Sequence, residues 1–225
     1  MIGFGHSVKP RRYAYSLIDQ ADLHQALLRH LGHDEYHVLA HDYGDSVAQE
    51  LLARDTDGQQ LRSMCFLNGG LFPETHRALL IQRLLHSPIG FLLSALLRKR
   101  SFDRSFSEVF GPATKPTATE LDEFWSLIQK NGGQMLFHKL IRYMEERKRH
   151  RDRWVTAMQQ TAVPLRVIDG AADPVSGAHM VARYRELIPE PDCVLLDAIG
   201  HYPQCEAPNQ VLEHYLPFVA KLARV

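Results

Sequence analysis

Apolar residues recur along this chain with two different periods, and the elements can be read where one period gives way to the other. Over positions 15–31, Leu17, Ala21, Leu28 and Leu31 fall on one side of a helix, and Gly32 stands where a C-cap glycine would end it. Positions 36–40 then form a short apolar run between two helical patterns, which predicts a buried strand of a parallel sheet. Val47, Leu51 and Leu52 mark the inner face of the helix that follows. A second strand is expected over 61–67, ending in Asn68-Gly69-Gly70.

From about position 71 to about 161 the rhythm changes, because helical patterns over 77–85, 119–130 and 134–149 follow one another with no strand between them. That block reads as a helical insertion. Alternation then resumes with a strand at 165–168, a helix at 179–188 and a strand at 193–196. A last helix over 208–222 carries Val211, Leu212, Tyr215, Leu216, Val219 and Leu222 inward. The order predicts an α/β fold whose core is built from residues 1–70 and 162–225, with residues 71–161 inserted between them.

At 225 residues and 45% apolar content the chain can bury one sizeable core, which favours a single domain with an insertion over two independent domains. Lys plus Arg and Asp plus Glu balance at 26 each, so no nucleic-acid partner is expected. Arg142, Arg147, Lys148, Arg149, Arg151 and Arg153 do crowd one segment, but Glu145, Glu146 and Asp152 are interspersed and the run reads as a solvated helix face. Cys65, Cys193 and Cys205 are far apart and lack the close pairs of a zinc site or a disulfide framework, which suggests a reducing cytoplasm. The start of the chain has no signal-peptide pattern. The apolar stretch at 88–97 is short of the roughly 20 residues a bilayer span needs. It is expected to be a buried helix of the insertion, with an interfacial helix as the alternative. No metal or cofactor is implied.

A nucleophile seated between a strand end and a helix start sits in strained backbone and needs small neighbours two residues to either side. Two overlapping registers satisfy this, Ala40-x-Asp42-x-Gly44 and Gly44-x-Ser46-x-Ala48, and the second would make a serine esterase. The apolar run stops at Ala40, which puts Asp42 at the turn and Ser46 inside the following helix. A plainer role for Asp42 is to cap that helix. Asp173, in Gly170-Ala171-Ala172-Asp173-Pro174, and His201, in Gly200-His201-Tyr202-Pro203, each follow a later strand, on the edge where such sheets bind ligands. Nucleophile, acid and base in that chain order match the hydrolase arrangement.

Ala40-His41-Asp42-Tyr43-Gly44, Asp173-Pro174 and Gly200-His201-Tyr202-Pro203 resemble the motifs of the epoxide hydrolase and haloalkane dehalogenase branch of the α/β-hydrolases. Gly3-Phe4-Gly5-His6-Ser7 and Lys9-Pro10 resemble the loop these enzymes carry after their fourth strand. The stretch from Leu67-Asn68-Gly69-Gly70 to Glu74-Thr75-His76, with Arg153-Trp154-Val155, is similar to one narrower subfamily. The resemblance implies an α/β-hydrolase fold with a helical lid. It also implies that Asp42 attacks an sp3 carbon of an epoxide or alkyl halide to form an ester on the enzyme, and that His201, oriented by Asp173, activates the water that hydrolyses it. A carboxylate suits that task because it is ionised at pH 7 without a base. The backbone N–H of Tyr43 would serve as one oxyanion donor and Tyr143, in the lid, as proton donor to an epoxide oxygen.

A small apolar molecule is the expected substrate. Dehalogenases often place a Trp directly after the nucleophile, and Tyr43 stands there instead; Trp125 and Trp154 are expected to pack in the core. Compared with that family, the chain begins after four strands and an oxyanion loop, for which a start codon placed too late is the expected reason, with a shortened chain or a genuine short paralogue as alternatives. The strand at 36–40 would then expose an apolar edge open to self-association. A catalytically silent fragment with a binding role remains the reading from outside the enzyme class.

Overall fold

The computed structural model describes residues 1–56 and 58–222. Four parallel strands form one sheet in the order β1 (Tyr36–His41), β2 (Leu61–Leu67), β3 (Leu165–Gly170) and β4 (Cys193–Leu196). Each predicted strand is present, and β3 runs two residues past its predicted end. Helix α1 (Leu17–His30) precedes the sheet and α2 (Tyr43–Arg54) joins β1 to β2. Gly32 ends α1 with φ +73, and its N–H and that of His33 donate to the carbonyls of Arg29 and Leu28 in a Schellman arrangement.

Alternation along β2 decides the core. Met64 and Phe66 point to one face and meet Ala48 and Leu52 of α2, whereas Cys65 and Leu67 point to the other, with Ile168 and Leu196. On the first face also lie α8 (Tyr143–Gln160) and α9 (Ala178–Leu187); the second is covered by α11 (Pro208–Leu222), which follows the short α10 (Pro203–Glu206). No strand occurs between β2 and β3 among the described residues. That stretch instead holds α3 (Leu80–His86), α4 (Gly90–Leu96), α5 (Lys99–Ser107), α6 (Ala118–Gln129), α7 (Phe137–Leu140) and α8.

Several expectations change. The strand β1 is not buried on both sides: among the described residues it pairs only with β2, and Leu39 is 44% exposed. Leu31 is exposed because it lies past the last turn of α1. In α11, Val211 and Phe218 are buried, but Leu212 and Leu216 face solvent, about 100° around the helix from the stripe that meets β2 and β3. The helix expected over 134–149 is broken. Asn131 and Gly132 take positive φ, α7 is a single turn, and the chain then tightens through i to i−3 bonds from Arg142 to Lys139 and from Met144 to Ile141 before α8 begins. The stretch 88–97 is not a buried helix: Gly90 and Ser94 of α4 face inward while Phe91, Leu92 and Leu96 are exposed.

Candidate active site

Asp42 lies between the end of β1 and the first residue of α2, with φ 48 and ψ −108. That is the strained geometry of a strand-to-helix turn that thrusts one side chain outward. Asp42 occupies the N-cap position of α2, but its carboxylate makes no capping bond to the helix, so the plainer role of a side-chain cap is not filled. The backbone N–H of Tyr43, in the first turn of α2, belongs to the donors an α-helix leaves unpaired. The small-residue requirement at position 44 is milder than the motif suggests: a Cβ on Gly44 would sit 3.9 Å from that of Ala40, in ordinary contact.

The loops after β3 and β4 bring Asp173 and His201 to the same edge. A Cβ on Gly170 would stand 2.0 Å from the Gly200 carbonyl oxygen, so the end of β3 and the loop after β4 touch only because position 170 lacks a side chain. His201 Nδ1 lies 2.7 Å from Asp173 Oδ2, and His201 Nε2 lies 3.7 Å from Asp42 Oδ2. Asp173 accepts as well from the N–H groups of Val175 and Ser176, the Ser176 hydroxyl and Asn68 Nδ2. Burial opposes its charge, yet these donors and His201 hold the Asp173 carboxyl below the usual carboxylate range. An ionised Asp173 only accepts, so Nδ1 of His201 carries a proton.

Burial likewise opposes the charge of His201, but Asp173 and then Asp42 outweigh it and push the imidazole up to about 10. Asp42 shows the converse. Its burial is outweighed by His201, with Arg147 behind, and its carboxyl is held well below the ordinary range. The neighbouring His41 is lowered to about 4, by burial first and His201 second, and its neutral ring holds the His201 carbonyl at 2.7 Å through Nε2.

Above Asp42 opens a cavity of about 420 Å³, lined mainly by apolar side chains from α3, α5 and α6 together with Asp42, Tyr43, Tyr143 and His201. The Asp42 side chain is 36% exposed and lines this cavity. Tyr143 therefore joins the other predicted residues, packed edge-on to Tyr43 at 5.7 Å. Burial raises its phenol and keeps it protonated. Ser46 is elsewhere: it is fully buried on α2, and its Oγ accepts from Arg147 Nε at 2.6 Å. The Trp154 indole donates to Glu50 at 2.7 Å and Trp125 packs against Phe102, so neither lines the cavity.

Sequence reasoning missed two residues here. Asn68 follows β2 and ties three strand ends together: its carbonyl accepts from Asp42 N, its Oδ1 accepts from Gly170 N at 2.6 Å, and its Nδ2 donates to Gly170 and Asp173. Its place at the carboxyl end of a strand was the available signal. Arg147 is only 2% exposed, which corrects its reading as part of a solvated face. Its neighbours do fit that reading, since Lys148 pairs with Glu145, Arg151 with Glu74 and Arg153 with Glu50. Nothing local in the sequence separates Arg147 from them. Beneath the site, Asp45 and Asp169 are fully buried, and burial pushes both carboxyls well above the usual range.

Comparisons with known proteins bear on the family and the fold. The profile of the alpha/beta hydrolase family matches residues 2–214. The mesoderm-specific transcript protein of Mus musculus is 41% identical over 230 residues, covering 97% of this chain and 68% of the mouse protein. Among solved structures, the haloalkane dehalogenase DbeA-M1 loop variant from Bradyrhizobium elkanii superposes with a TM-score of 0.81 at 20% identity, covering 100% of this chain and 79% of that one. The epoxide hydrolase CorEH gives 0.76 at 18% identity, covering 99% and 80%. At such identities the two structures speak for the fold alone, and the narrower resemblance carried by Leu67 to His76 and Arg153-Trp154-Val155 is to the mesoderm-specific transcript group. On the family profile and the mouse relative together, the chain belongs to the alpha/beta hydrolase family.

Proposed function

We propose that this hydrolase uses Asp42 as nucleophile and opens an epoxide or a related small apolar electrophile through a covalent alkyl ester. The observation that carries the reading is the pairing of a strained, outward-facing Asp42 with His201 at 3.7 Å on the floor of an apolar cavity. Asp42 displaces at carbon, and Tyr143 protonates the oxygen that leaves; solvent replaces that proton. Water then gives a proton to His201 Nε2 and attacks the Asp42 carboxyl carbon, with Tyr43 N–H stabilising the oxyanion. His201 returns the proton to the departing alcohol. The segment 71–161 serves as the lid, because its helices supply most of the cavity wall.

A serine esterase is disfavoured, since Ser46 does not line the cavity and its hydroxyl is held by Arg147. The dehalogenase reading has less support than the epoxide one, because neither indole N–H is at hand for a halide. Single turnover of styrene oxide in heavy-oxygen water tests the proposal. Label is expected in the peptide bearing Asp42; label confined to the diol would overturn the covalent route, and activity indifferent to Asp42→Asn and His201→Gln would favour a silent fragment with a binding role.

A further inference from the structure

Buried arginines are costly, and Arg147 is poorly repaid by its surroundings. A guanidinium stays charged in any protein environment, and its transfer out of water is offset only by close, complete pairing. Arg147 has no such pair. Its Nη2 donates to the Asp42 backbone carbonyl at 2.8 Å and stands 3.7 Å from Asp42 Oδ1; Nε donates to Ser46 Oγ at 2.6 Å; Nη1 has no partner among the described residues. The guanidinium lies over the Tyr143 ring at 4.3 Å. A side chain placed only to anchor α8 would do better against one of the acids that its neighbours on the same helix use.

The two oxygens of Asp42 therefore face different groups. Oδ2 is turned to His201 and Oδ1 to Arg147, each at 3.7 Å. Resting enzymes often hold such contacts long and tighten them as charge develops. We propose that Arg147 is a catalytic residue whose guanidinium stabilises the negative charge formed on Asp42 Oδ1 when water attacks the covalent ester. This rests on Asp42 being the nucleophile. Oδ2 carries the alkyl group; the water oxygen bonds to Cγ as its proton passes to His201; the carbonyl electron pair moves onto Oδ1 beside the cation. On collapse the Cγ–Oδ2 bond breaks and the alcohol leaves with the proton from His201. No oxidant or further reactant is needed. Ser46, from this viewpoint, is the hydroxyl that holds the guanidinium in place through Nε.

Rapid-quench single turnovers of styrene oxide, read by intact mass and by the mass of the Asp42 peptide, separate ester formation from ester hydrolysis. In Arg147→Met, hydrolysis is expected to slow by about 10²-fold or more, the scale for loss of one oxyanion donor. Ester formation should change by less than tenfold, so that the alkyl-enzyme accumulates. Arg147→Lys keeps the charge without the fork and should fall between; it also carries the test if thermal melts show that Arg147→Met does not fold. His201→Gln is the reference, because it should trap the ester whatever Arg147 does. An adduct in His201→Gln with equal slowing of both steps in the Arg147 variants would overturn the role of Arg147 and leave Asp42 as nucleophile. No adduct in any variant would overturn both.

Discussion

His201 cannot act as a base while Asp42 is charged, because the two carboxylates that flank it push its imidazole up to about 10. In the proposed route, esterification removes the charge on Asp42, and with it part of that support, so the imidazole falls toward its ordinary range when a base is needed. The sign of the pH dependence follows. In that route ester formation requires an ionised Asp42, whose carboxyl is held well below the usual range, and a protonated Tyr143, whose phenol burial raises, and it is expected to be flat between pH 5 and 9. Hydrolysis requires neutral His201 and should speed up as pH rises over the same interval, so the alkyl-enzyme should be most abundant at low pH. Quench-flow at several pH values measures both. Ester hydrolysis that slows as pH rises would contradict this order of events.

At the scale of elements, the site is assembled where the carboxyl ends of β1, β2 and β3 meet the loop after β4. Strand register and one close backbone approach do this work. Position 170 has no room for a side chain, since a Cβ there would overlap the Gly200 carbonyl. Gly170→Ala must push the His201 loop away from Asp173. The expected result is a loss of about 1–3 kcal/mol in urea denaturation, the usual range for overpacking, together with a larger fall in kcat than stability alone explains. Unchanged activity would mean that the loop can shift without disturbing the pair. The elements themselves were largely legible in the sequence, because an α/β core repeats the same apolar run and helical stripe. The insertion was less so: α4 is apolar yet exposed, and the breaks come from Asn131 and Gly132 between α6 and α7 and from tight turns between α7 and α8, which periodicity does not register.

Across the whole molecule, the sheet ends at β1, whose outer edge adjoins a groove lined by Leu27, Leu28, Val38 and Leu39. An unprotected apolar strand edge favours pairing with another chain. Light scattering after size exclusion is expected to show concentration-dependent self-association, and Leu39→Lys should reduce it without altering the cavity. A monodisperse monomer at high concentration would refute that. No described helix is long and apolar enough to cross a membrane.

Asp42, Asp173 and His201 could be proposed from the sequence because each sits at a strand end in a turn motif, and Tyr143 because the insertion resembles the lid of a known family. The same local signals predicted the alternation of strands and helices and favoured Asp42 over Ser46 as the candidate nucleophile. Arg147 could not be found that way. It looks like the charged residues on either side of it, and only the packing of α8 against α2 decides that its side chain points inward, toward residues more than a hundred positions earlier in the chain. Asn68 presents the same difficulty, since its bonds run to residues of β3 and its loop that are over a hundred positions later. Local periodicity follows from the chain's own backbone geometry and can be read along it. Which buried polar groups meet depends on how distant elements stack, and that is a property of the folded molecule.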